Sequence, residues 1–124
     1  MGRSWSGATM AAVAVVMCCM AVVEAYVYTV GESYGWVVGP NYTAWGFSKS
    51  FKVGDYLVFD YSSEYSVDEV FENDYNTCNV DHPISSDKSG STAFNLVAPG
   101  PRYFICGVSD LCKKGMKLVA NVTT

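Results

Sequence analysis

Past residue 25 the chain is a series of short alternating apolar runs cut by turn residues. Residues 26–30 alternate and stop at Gly31. Residues 51–53 run into a Gly54-Asp55 turn, and 56–61 continue beyond it with Leu57, Phe59 and Tyr61 on one face, as a half-buried strand requires. Residues 66–70 form another short run. The polar stretch 72–77 has no β-branched series and reads as a short helix or turn leading into Cys78. Ser85-Ser86 and Ser89-Gly90-Ser91 read as turn residues. Residues 92–97 then point Phe94 and Leu96 one way, Pro99-Gly100-Pro101 is a firm break, and 102–106 is the next strand. After a loop over 109–115, residues 116–122 place Met116, Leu118, Ala120 and Val122 inward and Lys117 and Asn121 outward. Short strands separated by turns predict an all-β sandwich or barrel, and the length supports one domain, residues 26–124.

Composition narrows the class of partner. Half of the residues are hydrophobic, ample for a core, while the net charge is −4 and the basic residues form no cluster. Nucleic acid is therefore not expected as a partner. The first 25 residues read as a secretory signal peptide: Arg3, an uncharged apolar run over 8–23, then Val23-Glu24-Ala25 ending in a small residue. Cleavage after Ala25 makes Tyr26 the first mature residue. The apolar run falls short of the roughly 18–20 residues of a membrane span, so no transmembrane segment is expected in the mature chain. Met1-Gly2 with Ser6 fits the loose myristoylation pattern, but an apolar run directly behind it directs the chain to secretion. The run to Thr124 shows neither the spacer nor the hydrophobic tail of a GPI signal. The expected location is extracellular or at the cell surface. Two sequons fit that route, at Asn41 and Asn121.

Cleavage also changes the cysteine count. Cys18 and Cys19 leave with the leader, and Cys78, Cys106 and Cys112 remain. Three cysteines in an oxidising compartment imply one bridge and one spare thiol. Spacing leaves open which cysteine is single.

The motifs, taken in order, point to a family. Tyr28-Thr29-Val30-Gly31 with Gly35-Trp36 opens the series, then Tyr42-x2-Trp45 and Phe51-Lys52-Val53-Gly54-Asp55-x-Leu57-Val58-Phe59. Val67-x-Glu69-Val70, Asp74-Tyr75-x2-Cys78 and the block from Tyr103 to Lys117 complete it. Each is weak alone, but together the series resembles the phytocyanins, the plant family of small secreted cupredoxins. The resemblance implies a Greek-key β-sandwich of two sheets with one disulfide, Cys78 to Cys112. It also implies a copper loop running Cys-x4-His-Cys-x3-Met or Gln, and an upstream His-Asn/Ser-Val-x-Glu-Val motif carrying the first histidine ligand. A type 1 copper centre takes a Cys thiolate, two imidazoles and a weak axial ligand.

This chain keeps Cys106 and Met116 but has Leu111 and Tyr65 at the two histidine positions. Leucine has no lone pair. A phenol has a reference pKa of about 10 and is bulkier than imidazole, so Tyr65 is expected to fill the vacated site with Leu111 beside it. His82, the only histidine, matches no ligand position and reads as a solvated loop residue. Cys106 reads as a small buried hydrophobe; a residual soft Cu(I) site made with Met116 is the alternative. Asp68, Glu69, Glu72 and Asp74 read as a solvated acidic face. They lack the spacing and glycine of a calcium loop, and nothing supports an acid–base pair. With no nucleophile elbow, phosphate loop or zinc pattern, an enzyme is not expected. The expectation is a non-enzymatic extracellular module without a cofactor, binding a cell-wall or extracellular ligand whose identity the sequence does not give. The alternative is a small copper electron carrier with an atypical site.

Overall fold

The computed structural model describes residues 24–124. The signal-peptide reading falls almost entirely on residues 1–23, outside the described residues. Among the described residues eight strands form two sheets. A three-stranded sheet has the order β1-β3-β6, with β1 Val27–Thr29, β3 Tyr56–Asp60 and β6 Ser91–Asn95. A five-stranded sheet has the order β2-β8-β7-β4-β5, with β2 Phe51–Lys52, β4 Val67–Val70, β5 Ser85–Asp87, β7 Gly100–Ile105 and β8 Lys117–Thr123. Two six-residue helices, α1 Tyr42–Phe47 and α2 Glu72–Thr77, complete the secondary structure of the described residues with a single 3-10 turn, Glu32–Tyr34.

Alternation sets which side chains enter the sandwich. In β3, Leu57 and Phe59 are fully buried while Tyr56 and Asp60 face out. In β8, Leu118, Ala120 and Val122 are buried and Asn121 is exposed. These residues join Val30, Trp36, Tyr42, Phe51, Val67 and Phe104 in the main core. Phe59 centres an aromatic cluster, with ring centroids 5.1 Å from Trp36, 5.8 Å from Phe94 and 5.2 Å from Phe104, distances at which tilted and edge-on pairs attract.

β4 and β7 are covered on both faces. Val67 and Phe104 enter the main core, while Val70 and Ile105 enter a second cluster with Tyr75 and Cys112 on the outer side of the five-stranded sheet. α2 lies over that side, supplying Tyr75. This corrects the outward reading of Lys117. It leaves the sandwich but is half-buried against α2, its Nζ donating to the Tyr75 carbonyl at 2.6 Å and sitting 4.0 Å from the Tyr75 ring centroid. Burial holds its pKa below the ordinary lysine value.

Three other expectations are corrected. Pro99-Gly100-Pro101 is not a clean break, because β7 starts at Gly100 with Pro101 opposite Asn121. β4 joins β7 only from Tyr103 onward, so no second strand asks Pro101 for the N–H it lacks. Ser85-Ser86 is not a turn but the start of edge strand β5, with Ser85 opposite Glu69 and Ser86 opposite Asp68. Finally, the four acidic residues do not form one solvated face. Asp68 is 4% exposed and accepts from Ser86 Oγ at 2.8 Å. Glu69 takes a two-pronged contact from Arg102, Nε at 2.7 Å and the neighbouring guanidinium nitrogen at 2.8 Å, the geometry that favours arginine over lysine.

The helix α1 has no counterpart among the elements that the sequence pattern predicts. Asn41 caps it, accepting from Ala44 N–H at 3.0 Å. Its Gly46 lies so close to β8 that a Cβ there would sit 2.6 Å from the Val119 carbonyl oxygen. The absent side chain lets the short helix pack directly against β8.

Candidate functional site

Cys106 follows β7 directly and is wholly buried. Its N–H donates to the Met116 carbonyl at 3.0 Å, so the two ends of the 106–116 loop are hydrogen-bonded to each other. Met116, just before β8, is also wholly buried, and its N–H donates to the Leu111 carbonyl at 3.0 Å. Between them the loop folds on itself through Leu111 N–H to Val108 O at 3.3 Å and Gly115 N–H to Cys112 O at 3.0 Å. Cys112 is bridged to Cys78, which fastens the loop to the C-terminal end of α2. Cys106 is the free cysteine among the described residues.

Ser66, 3% exposed, organises the other side. Its N–H donates to Cys106 Sγ at 3.5 Å, its Oγ accepts from Gly107 N–H at 2.8 Å, and its carbonyl accepts from Trp36 Nε1 at 2.9 Å. Trp36 packs on Tyr42, whose hydroxyl donates to Gly35 O at 2.6 Å and accepts from Val37 N–H at 2.8 Å. Burial, with a smaller contribution from nearby Tyr65, holds the Tyr42 phenol above its ordinary pKa. Gly107 lies flat against Asp68, so that any Cβ at 107 would overlap the carboxylate. Asp68 is fixed in turn by Ser86 Oγ. The cysteine is thus held by a saturated frame running from Trp36 through Ser66 to Gly107 and Asp68.

The four singled-out side chains border one core. Cys106 and Met116 belong to the main core, and half-buried Tyr65 and Leu111 pack against that same core together with Val108. They supply one thiol, one thioether and one phenol, and no imidazole. Among the described residues there is no group of three or more His, Cys, Asp or Glu placed to hold a metal ion. His82 is exposed in the loop between α2 and β5. Asn41 and Asn121 are both exposed, Asn41 as the cap of α1 and Asn121 on β8.

Two shallow grooves open elsewhere on the surface. One, about 230 Å³, runs between α1 and β2 past Phe47, Lys49 and Asn121. The other, about 210 Å³, lies along β1 beside Tyr26, Tyr28, Trp45 and Glu32. Neither is lined by Cys106, Met116, Tyr65 or Leu111.

Reading the sequence missed Trp36, Ser66 and Asp68 as parts of the frame. Ser66 and Asp68 do carry a signal, since they flank Val67 in the motif after Tyr65. Asp68 looks solvated only while β5, which pairs beside it, is taken for a turn.

Comparison with known proteins places this geometry. A family model described as a plastocyanin-like domain matches residues 36–116. A blue copper protein of Pisum sativum is 48% identical over 99 residues, covering 79% of this chain and 52% of that protein. Stellacyanin of Toxicodendron vernicifluum is 42% identical over 103 residues, covering 78% and 96%. Early nodulin-like protein 3 of Arabidopsis thaliana is 42% identical over 100 residues, covering 78% and 50%. The chain therefore spans about half the length of the pea and Arabidopsis relatives and nearly all of stellacyanin. Among solved structures, cucumber stellacyanin in its Cu2+ form superposes with a TM-score of 0.74 at 29% identity, covering 82% of this chain and 98% of that one. Cucumber basic protein, a blue copper protein, superposes with a TM-score of 0.68 at 35% identity, covering 78% and 99%. With the two sheets, the Cys78–Cys112 bridge and the ordered motifs in agreement, the chain belongs to the plastocyanin-like domain family, within its phytocyanin branch.

Proposed function

We propose that this domain has lost the type 1 copper site of its family and serves as a secreted, non-enzymatic binding or structural module. The observation that carries the reading is the donor set around Cys106. A type 1 ion needs two imidazoles beside its thiolate; Tyr65 and Leu111 stand where the family motif puts them and offer a phenol and a hydrocarbon. The residues present do not fit the ion. Both side chains pack on the apolar core, which is how a vacated ligand pocket is made stable.

Secretion is supported by the leader-like first 25 residues and by the exposed sequons at Asn41 and Asn121. The Cys78–Cys112 bridge fits an oxidising compartment. Among the described residues no helix is long and apolar enough to cross a membrane. A non-enzymatic role is supported by the motifs, which follow a family of small binding and electron-transfer domains and include no nucleophile elbow, phosphate loop or zinc pattern. The partner is an extracellular or cell-wall ligand, engaged through the outer surface rather than through Cys106.

The second reading, a copper electron carrier with an atypical site, is favoured by the intact frame on Cys106 and by relatives that are named as copper proteins. Elemental analysis of the domain secreted from plant cells separates the two. The metal-free reading expects far less than one copper per chain, and a stoichiometric content rejects it.

A further inference from the structure

Asp55 is a carboxylate only 5% exposed, in the turn between β2 and β3. Its Oδ2 accepts from Lys52 N–H at 2.9 Å and its Oδ1 from Tyr26 N–H at 3.0 Å. Both partners are backbone amides. Among the described residues no lysine or arginine forms an ion pair with it. A buried carboxylate without a cation is costly. The nitrogen it faces is that of Tyr26, the residue that the leader reading makes the first of the mature chain.

We propose that Asp55 is the receiving site for the chain's own α-ammonium group, created when the Ala25–Tyr26 bond is cleaved on export. The inference rests on the secretion reading and deepens it. Signal peptidase hydrolyses the amide with water. The C–N bond breaks, the hydroxyl of water goes to the Ala25 carbonyl and its hydrogen to the Tyr26 nitrogen. The proton of the resulting Ala25 carboxyl is balanced by the one taken up on the Tyr26 amine. The neutral N–H donor at Oδ1 thereby becomes a charged one in the same place. A charge-assisted hydrogen bond is about twice as strong as a neutral one, and the buried carboxylate gains its counter-ion.

The surroundings hold the new terminus in register. The Tyr26 carbonyl accepts from Tyr56 N–H at 2.8 Å, and β1 then pairs in parallel with β3 from Val27 opposite Tyr56. The Asp55 main chain is pinned by its N–H to Lys52 O at 3.0 Å and by Leu96 N–H to its own carbonyl at 2.8 Å. Cleavage one residue earlier would leave the ammonium on Ala25, which is exposed, and an amide at Oδ1. The site thus distinguishes one processing position from its neighbours.

The test is a cycle on the mature domain beginning at Tyr26. Its α-amine is left free or acetylated, in the parent and in the Asp55→Asn variant, and unfolding is followed in urea. In the parent, acetylation is expected to raise the unfolding constant roughly five- to tenfold, the difference between a charged and a neutral donor. In the Asp55→Asn variant the change should be under about twofold. Equal effects in both backgrounds overturn the proposal. Should Asp55→Asn not fold, a chain that keeps Ala25 in front of Tyr26 supplies the comparison. It retains a free amine but moves it, and must match the acetylated form; stability equal to the Tyr26-first chain overturns the proposal. Mass mapping of the exported protein completes the test. A first residue other than Tyr26 overturns the proposal and leaves secretion standing. A chain that is not exported at all sinks the secretion reading, while the cycle still decides the ion pair.

Discussion

Replacing Tyr65 and Leu111 together by histidine is expected to give a domain that binds Cu(II) and turns blue. The positions follow from the resemblance to the family motif, and Cys106 is held by hydrogen bonds on both sides. Cys106 Sγ receives the Ser66 amide, the Cys106 amide is tied to Met116, and Gly107 is locked between Ser66 and Asp68. A type 1 centre depends on ligands held rigidly by such surroundings. Tyr65 and Leu111 are both half-buried and both pack on the core that contains Cys106 and Met116. Imidazoles there replace a half-buried phenol and a half-buried hydrocarbon, at a stability cost of about 1–3 kcal/mol for the less apolar packing. Either single variant supplies one imidazole and should give no stable blue species. Visible absorption with copper titration reads the result. A double variant that folds but leaves Cu(II) unbound would show that the loops carrying positions 65 and 111 have moved out of ligand geometry.

Removal of the bridge by Cys78→Ala with Cys112→Ala should cost about 3–4 kcal/mol, from the loop entropy that the crosslink removes in the unfolded chain. The two cysteines are 34 positions apart. The bridge also holds α2 to the 106–116 loop, and Cys112 is 2% exposed in the second core with Val70, Tyr75 and Ile105. Alanine at both sites avoids leaving one thiol to exchange with Cys106. By contrast, Cys106→Ala should cost only about 1–2 kcal/mol, the loss of one small buried group. Urea unfolding of the three proteins gives the ranking. A bridge-free domain within about 1 kcal/mol of the parent would contradict the role assigned to the crosslink.

The main sandwich is legible in the sequence because its strands bury one face. In β3 and β8 the alternation of Leu57 and Phe59, or of Leu118, Ala120 and Val122, marks the core side, and the motif order carries the family and the bridge. The errors lie where a second layer covers the five-stranded sheet. β4 and β7 bury both faces, with α2 and β5 beside them, so Asp68 in β4, which reads as part of a solvated acidic face, is buried, and Lys117 at the start of β8 is half-buried against α2. β5 is a polar edge strand of three residues, Ser85–Asp87, whose serines mimic a turn. α1 has too few residues for a helical period to show, and its start depends on one cap, Asn41. At the site, the sequence names Cys106, Met116, Tyr65 and Leu111, but not the hydrogen bonds that position Cys106. Those run through the Ser66 N–H to Cys106 Sγ and through the Ser66 Oγ that accepts from Gly107 N–H, pairings that only the tertiary packing brings together.

The visible absorption spectrum of the unaltered mature domain, titrated with Cu(II) to one equivalent, tests the proposed loss of the copper site most directly. A donor set of one thiol, one thioether and no imidazole predicts a colourless protein without the intense thiolate-to-copper band of a type 1 centre. An intense blue band that saturates at one copper per chain would contradict it.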